Sequence, residues 1–143
     1  METQTKSGLT INTEKKEIRG TRIFNAPREL VFKVMTDPKL IPEWWGPRRL
    51  TTTVDQMDVR VGGIWRYVQR DGEGHEFAFN GVYREVVPPG RLVYTFEFEE
   101  IRGHEIVETL IFEADGDKTR MTDIMIFQTL EDLEGMVQSG MEE

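Results

Sequence analysis

Two acidic residues, Glu108 and Asp123, fall in a predicted β-hairpin where paired carboxyl groups could do acid–base chemistry. If Asp115-Gly116 forms a two-residue turn, strand counting places Glu108 directly opposite Asp123 on an apolar face. A four-residue turn instead pairs Leu110 with Asp123 and Glu108 with Met125, which separates the acids. With the two-residue turn, burial and mutual repulsion would raise the pKa of at least one of the two carboxyl groups. Such a pair could hold a proton, bind a polar ligand group, or act as acid and base.

A second interpretation of the same pair requires no chemistry. The face that carries Glu108 and Asp123 could be partly wetted, or an arginine such as Arg66 could neutralise it. Both interpretations stay open at the level of sequence, and these two residues are the catalytic candidates.

Other catalytic arrangements find little support in the residue inventory. The chain contains no cysteine, and its only serines, Ser7 and Ser139, lie near the two termini, so a nucleophile–histidine arrangement is disfavoured. His75 and His104 each follow a glycine in a predicted turn, which is typical of solvated residues rather than of a zinc site. We therefore expect no metal and no cofactor, and we favour a binding protein over an enzyme.

A proline-rich segment, residues 37–47, contains the adjacent tryptophans Trp44 and Trp45. Pro42 and Pro47 remove backbone donors, so the pair cannot lie in the middle of a regular helix. Large apolar side chains are rarely left in solvent, and we expect at least one of the two to fill a core or line a cavity. The alternative is that both only seal the end of a core.

The strands predicted below place aromatic and methionine side chains at alternate positions, facing inward. Such side chains make an adaptable apolar wall, although a filled core with only a small void would show the same pattern. The candidate ligand-binding residues are Trp44, Trp45, Trp65, Tyr67, Phe79, Tyr83, Tyr94, Phe96, Leu110, Met121 and Met125.

Composition limits the classes of partner. The 143 residues, 38% of them hydrophobic, suit one domain with a continuous core. With 26 acidic against 18 basic side chains, the formal charge is −8, which disfavours nucleic acid and anionic membranes as partners. The first twenty residues hold no secretory or spanning segment, so the cytoplasm is the expected location.

Hydrophobic periodicity predicts the elements that position these side chains. A first strand closes at Thr21–Phe24, a helix spans Pro27–Thr36 with Leu30, Val31, Val34 and Met35 as its buried stripe, and a short helix could occupy Pro38–Ile41. Period-two patterns then predict six strands and a closing helix from Leu130. The six strands are Thr51–Met57, Ile64–Gln69, Phe77–Val87, Arg91–Glu99, Glu105–Ala114 and Lys118–Gln128.

This order predicts an α+β domain whose curved antiparallel sheet is covered on one face. Residues 1–16 are predicted to form a flexible arm or an edge strand, and residues 17–143 a single domain. On the final helix, Leu133, Met136, Val137 and Met141 share one face.

Several separated motifs occur along the chain in a recognisable order. They are Asn25-Ala26-Pro27-Arg28-Glu29-Leu30-Val31-Phe32, Thr36-Asp37-Pro38, Trp44-Trp45-Gly46-Pro47, Val61-Gly62-Gly63, residues 81–89 with Arg91-Leu92-Val93, and Lys118-Thr119-Arg120-Met121-Thr122. In order and spacing, from about residue 18 to 143, these motifs resemble the activator of heat-shock protein 90 ATPase homologue family.

The resemblance implies the helix-grip fold of the START-like (SRPBCC) superfamily. In that fold a seven-stranded antiparallel sheet wraps around a long C-terminal helix above an apolar cavity. About 13 residues follow Leu130, roughly 20 Å of helix, which is shorter than the family's usual final helix and suggests an open grip or a truncated chain.

The expected function is binding of a small hydrophobic or aromatic ligand between the sheet and the C-terminal helix. Resemblance to the family suggests two alternatives. One is a protein-binding domain that stimulates a heat-shock protein 90 ATPase, and the other is a cyclase or hydrolase that uses Glu108 and Asp123. The oligomeric state is not predicted.

Overall fold

The computed structural model of the chain describes residues 3–6, 9–45 and 50–138. The strands are β1 (Thr3–Lys6), β2 (Leu9–Asn12), β3 (Glu17–Phe24), β4 (Thr51–Met57), β5 (Ile64–Arg70), β6 (Glu76–Val87), β7 (Arg91–Phe98), β8 (Ile106–Asp115) and β9 (Lys118–Ile126). The helices are α1 (Arg28–Thr36), α2 (Ile41–Trp44) and α3 (Leu130–Gln138), with a 3₁₀ turn at Glu99–Ile101. No described helix has the length and apolar character needed to cross a membrane.

The strands form one antiparallel sheet in the order β1-β2-β3-β9-β8-β7-β6-β5-β4. Strand β3 pairs with β9, so the chain must cross from the middle of the sheet to its far edge, and α1 and α2 make that crossing. The predicted α+β class with an antiparallel sheet is confirmed. The sheet has nine strands rather than seven, because β1 and β2 extend it beyond β3.

The helices lie against one face of the sheet, which we call the inner face. Beneath α1 and α2, the helix-pair cluster contains Val31, Phe32, Ile41, Trp65, Tyr67, Tyr83, Leu92, Leu110, Phe112 and Met121. Beneath α3, the terminal-helix cluster contains Ile11, Ile18, Ile106, Phe127 and Leu133. The single sheet therefore supports two apolar cores, one under each group of helices.

Two details of the crossing segment differ from the prediction. Helix α1 buries Val31 and Phe32, whereas Leu30 is 49% exposed, so the buried stripe is rotated by about one residue. The predicted helix Pro38–Ile41 is wrong: residues 38–40 form a turn, and the helix begins at Ile41. The Asp37 side chain accepts the Lys39 N–H at 2.9 Å, which stabilises that turn.

The terminal helix follows its predicted face where it is described. Leu133 is buried, and Met136 and Val137 pack against the terminal-helix cluster. Met141, predicted on the same face, lies outside the described residues, as do Gly46 and Pro47 of the tryptophan segment.

Gly81 lies where β6 and β7 approach closely beneath Trp65. A Cβ at this position would lie 1.8 Å from the Thr95 carbonyl oxygen and 2.5 Å from the Trp65 indole nitrogen, which donates to that same oxygen at 3.2 Å. We expect Gly81→Ala to lower the free energy of unfolding by about 2–3 kcal/mol, because backbone must move to relieve the overlap. Urea unfolding measures this loss. Gly72→Ala, where a Cβ meets no atom within 4 Å, is the control, and an equal effect of both variants would contradict the packing argument.

Candidate functional site

A small apolar cavity lies between the inner face and the crossing segment. Its volume is about 20 Å³, which is close to the space that one water molecule needs. The lining residues are Met35, Trp44, Trp45, Trp65, Tyr67, Tyr83, Leu92, Tyr94 and Leu110. None of the described residues of α3 belongs to this lining, so the cavity is covered by α1 and α2.

Trp45 is the side chain that fills the space above the sheet. Its ring centroid lies 5.0 Å from that of Tyr67, 5.1 Å from Phe79, 6.2 Å from Phe96 and 6.4 Å from Trp65. Most of these contacts are edge-to-face, an arrangement that aromatic pairs prefer. The indole ring of Trp45 thus occupies a space walled by aromatic side chains.

The backbone at Trp45 is held from both sides. Its N–H donates to the Ile41 carbonyl at 3.0 Å, which closes α2, and its carbonyl accepts the Thr52 hydroxyl of β4 at 3.0 Å. These bonds aim the Trp45 side chain at the inner face.

Trp44 has a different environment. Its side chain is 41% exposed, and its indole N–H donates to the Val34 carbonyl of α1 at 3.0 Å. The Trp44 side chain lines the cavity, and its hydrogen bond to Val34 joins α2 to α1. The two neighbouring tryptophans therefore have separate roles, one in the interior and one at the helix–helix contact.

The buried phenols of the lining stay protonated near neutral pH. Burial raises the pKa of Tyr83 to about 12. Burial, together with the neighbouring Tyr83, also raises the pKa of Tyr67. The Tyr67 hydroxyl also lies 3.8 Å from the Met57 sulfur. These groups offer neutral hydrogen-bonding atoms in an apolar wall.

The acidic pair lies beside the cavity, in a register that differs from the first predicted one. The prediction that Glu108 lies opposite Asp123 is wrong: Leu110 pairs with Asp123 and Glu108 pairs with Met125. The turn is centred on Gly116-Asp117, where Gly116 has φ +63°. This is the pairing that the alternative turn predicted.

The acids nevertheless meet, as diagonal neighbours on the inner face. A shift that moves the pairing by two residues keeps both side chains on one face, and diagonal partners remain within reach of long side chains. The Glu108 and Asp123 side chains are in hydrogen-bonding contact, and the Tyr94 hydroxyl donates to Glu108 Oε1 at 2.8 Å.

Burial, then the charge of Glu108 and a hydrogen bond between the two carboxyl groups, raise the pKa of Asp123 well above its ordinary range. Arg22 of β3 acts in the opposite direction. Burial also raises the pKa of Tyr94, with Glu108 and Asp123 adding to the effect. Asp123 Oδ1 is buried and has no hydrogen-bond partner among the described residues. Burial therefore favours the protonated form of Asp123 on the inner face.

The expected neutralisation by Arg66 does not occur. Arg66 donates to both carboxylate oxygens of Glu99, at 2.8 and 3.1 Å, and to Asp55 at 3.3 Å. A hydrogen bond from Arg66, with a further one from Asn80, lowers the pKa of Glu99. Arg66 therefore belongs to a separate ion-pair network and does not neutralise the acidic pair.

Both histidines lie outside this site and bind acidic neighbours. His75 Nδ1 lies 2.9 Å from Asp71 Oδ2, and His104 Nδ1 lies 2.7 Å from Asp132 Oδ1. Asp71, Glu73 and His75 place possible metal-binding atoms within 4.8 Å of one another. However, Asp71 Oδ1 already accepts the N–H groups of Glu73 and His75, which closes the turn between β5 and β6.

Most of the predicted ligand-binding residues surround the cavity. Trp44, Trp45, Trp65, Tyr67, Tyr83, Tyr94 and Leu110 line it. Phe79 and Phe96 pack against Trp45, Met121 belongs to the helix-pair cluster, and Met125 packs against the terminal-helix cluster. Whether they bind a ligand remains a prediction.

Two lining residues, Met35 and Leu92, were missed. Met35 belongs to the buried stripe predicted for α1, and Leu92 is the second residue of β7. Their apolar pattern predicted burial, but which buried residues adjoin a void depends on how the crossing segment folds over the sheet.

The comparisons with known proteins agree with this architecture. The family model described as "Activator of Hsp90 ATPase homolog 1-like protein" matches residues 25–143. The chain belongs to this family. No curated protein matches it significantly.

Solved structures similar to this member of the Hsp90 ATPase activator homolog family come from several bacteria. A solution structure of a protein from Arthrobacter aurescens has TM-score 0.86 and 22% identity, covering 99% of this chain and 83% of that one. Protein Ms6760 from Mycobacterium smegmatis has TM-score 0.82 and 20% identity, covering 98% and 88%. Protein CV1439 from Chromobacterium violaceum has TM-score 0.73 and 26% identity, covering 78% and 79%. The first two likenesses show the fold alone.

Proposed function

We propose that this chain is a small-molecule binding domain whose ligand is a compact apolar or aromatic molecule. The ligand binds on the inner face, in the space that the Trp45 ring occupies. The observation that carries the proposal is this single half-buried indole among Trp65, Tyr67, Phe79 and Phe96. Membership of the family supports ligand binding in general. The cavity does not lie at the predicted position between the sheet and the C-terminal helix, because its lining includes α1 and α2 and none of the described residues of α3.

The size of the cavity makes Trp45 the gate to the site. A volume of about 20 Å³ cannot hold an organic ligand, and ligand pockets are commonly ten or more times larger. Since Trp45 follows the short helix α2 directly, rotation of one side chain would clear a space of indole size. The aromatic rings left behind would then contact the ligand as they contact Trp45.

This arrangement predicts how affinity responds to removal of the indole. Wild-type protein must move Trp45 out before a ligand enters, so its apparent affinity is reduced by the small fraction of open molecules. We expect 1-methylnaphthalene to bind wild-type protein and to bind Trp45→Ala at least tenfold more tightly. Isothermal titration measures both affinities, and the melting temperature should rise with ligand, since the ligand binds the native state.

The control is Phe127→Ala, which removes a buried aromatic ring from the terminal-helix cluster. This variant should bind 1-methylnaphthalene no better than wild type does. If wild-type protein does not bind the probe, or if Phe127→Ala gains as much affinity as Trp45→Ala, the proposed site is wrong.

The family description also raises activation of a chaperone ATPase. That role rests on the description alone, and nothing in the described part of the chain favours it over ligand binding.

A further inference from the structure

We propose that the ligand carries a hydrogen-bond donor, a hydroxyl or an amine, which binds at the polar edge formed by Tyr94, Glu108 and Asp123. The inference rests on the proposed function and specifies the chemistry of the ligand. It follows from which atoms of the polar edge already use their protons and which atoms remain free.

One hydrogen-bond donor of the polar edge is already engaged by Glu108. The Tyr94 hydroxyl donates to Glu108 Oε1 at 2.8 Å, so its proton is used. The carboxyl group of Asp123 adjoins Glu108, and burial raises the pKa of Asp123 well above its ordinary range, which favours its protonated form. Glu108 therefore already accepts a hydrogen bond within the polar edge.

The atoms of the polar edge that remain available to a ligand are hydrogen-bond acceptors. Tyr94 Oη keeps lone pairs that can accept, and Asp123 Oδ1 is a carboxyl oxygen that also carries acceptor lone pairs. This Oδ1 is buried without a hydrogen-bond partner among the described residues. Leaving a buried acceptor unpaired is unfavourable, whereas a donor placed against it recovers a hydrogen bond.

The polar edge adjoins the apolar cavity directly. Tyr94 and Leu110 both line the cavity, and Leu110 is the cross-strand partner of Asp123. A ligand that replaces the Trp45 ring against these two residues would extend its polar end towards the polar edge. The negative Glu108 opposes an anionic group there, and Arg22 is the cation that acts on Asp123 from β3.

Three naphthalene probes of nearly equal shape test the inference by titration at pH 7. We expect 1-naphthol to bind about tenfold more tightly than 1-methylnaphthalene, as one additional hydrogen bond would allow, and 1-naphthoate to bind most weakly. If 1-methylnaphthalene and 1-naphthol bind equally, the polar edge is not part of the site, although the proposed function stands. If neither binds, the proposed function itself is wrong.

Two substitutions of Asp123 test whether the preference for 1-naphthol arises at the polar edge. Asp123→Asn keeps a carbonyl acceptor and supplies an N–H for Glu108, so it should retain the preference for 1-naphthol. Asp123→Leu removes the acceptor and should abolish the preference while 1-methylnaphthalene still binds. Should Asp123→Leu not fold, Tyr94→Phe provides the test, because it removes the other free acceptor and should reduce the preference. A preference unchanged in Asp123→Leu, or in Tyr94→Phe in its place, would overturn the inference.

Discussion

Replacing Trp45 with alanine is expected to lower the free energy of unfolding by about 3 kcal/mol. The indole packs against four aromatic side chains, and its loss removes both its burial and those contacts. Large-to-small changes at buried aromatic residues cost about 3–5 kcal/mol, and Trp45 is half-buried, which places it at the lower end. The gate of the site is thus also one of its main structural supports.

Trp44→Ala is the matched comparison, one residue away. Its side chain is 41% exposed and makes one indole hydrogen bond, so we expect a loss of about 1 kcal/mol. Urea unfolding followed by far-ultraviolet circular dichroism measures both losses without depending on tryptophan fluorescence, and the slope should stay constant. Equal losses for the two variants would contradict the interior position of Trp45.

The second large effect concerns pH. Relative to Asp123→Asn, wild-type protein should lose stability as pH rises, by up to about 1.4 kcal/mol per pH unit. The folded protein raises the pKa of Asp123, so the native state holds a proton that the unfolded state has released. The contribution is fully present below the unfolded pKa, near 4, and is lost as pH rises through the raised pKa of the folded state.

The pH dependence of stability is determined by the charged and titratable groups that face Asp123. They are Glu108 of β8, Tyr94 of β7 and Arg22 of β3. Denaturant unfolding of both proteins at several pH values from 4 to 8 gives the difference directly. The control is Asp115→Asn, which makes the same chemical change at an exposed position of the same hairpin, and subtracting its pH dependence isolates the buried group. A difference that stays constant from pH 4 to 8 would show that Asp123 ionises freely in the folded protein.

Local sequence patterns predicted the strands well because burial on one face imposes a period of two. From Leu92 to Phe98, for example, alternating large side chains identify one strand, and the structure has β7 there. Residues 1–16 lack a comparable run, and their two four-residue strands depend on pairing, β2 with β3 and β1 with β2. Such short edge strands are determined by their neighbours more than by their own residues.

The hairpin register shows where local patterns stop being sufficient. Either Asp115-Gly116 or Gly116-Asp117 can form the centre of a tight turn, and sequence does not distinguish them. With Asp115-Gly116 as the turn, Asp123 would pair with Glu108, whereas with Gly116-Asp117 it pairs with Leu110. Both registers leave the two acids on one face of the sheet. The pair could therefore be predicted, but its diagonal geometry and its contact with Tyr94 required the fold.

The cavity is even harder to predict from local sequence patterns than the hairpin register, because it depends on the tertiary fold. The same aromatic residues fit a filled core and an open pocket, and the outcome depends on where one side chain points. Trp45 points inward because hydrogen bonds to Ile41 and Thr52 fix its backbone. That orientation joins residues far apart in the chain, which no local pattern contains.

A crystal structure of the protein grown with 1-naphthol tests the central claim most directly. We predict that the naphthyl ring occupies the present position of the Trp45 indole, between Tyr67 and Phe79, with its hydroxyl directed at Tyr94 and Asp123. A naphthol molecule found only on the outer surface, with the Trp45 ring still in place, would contradict the account.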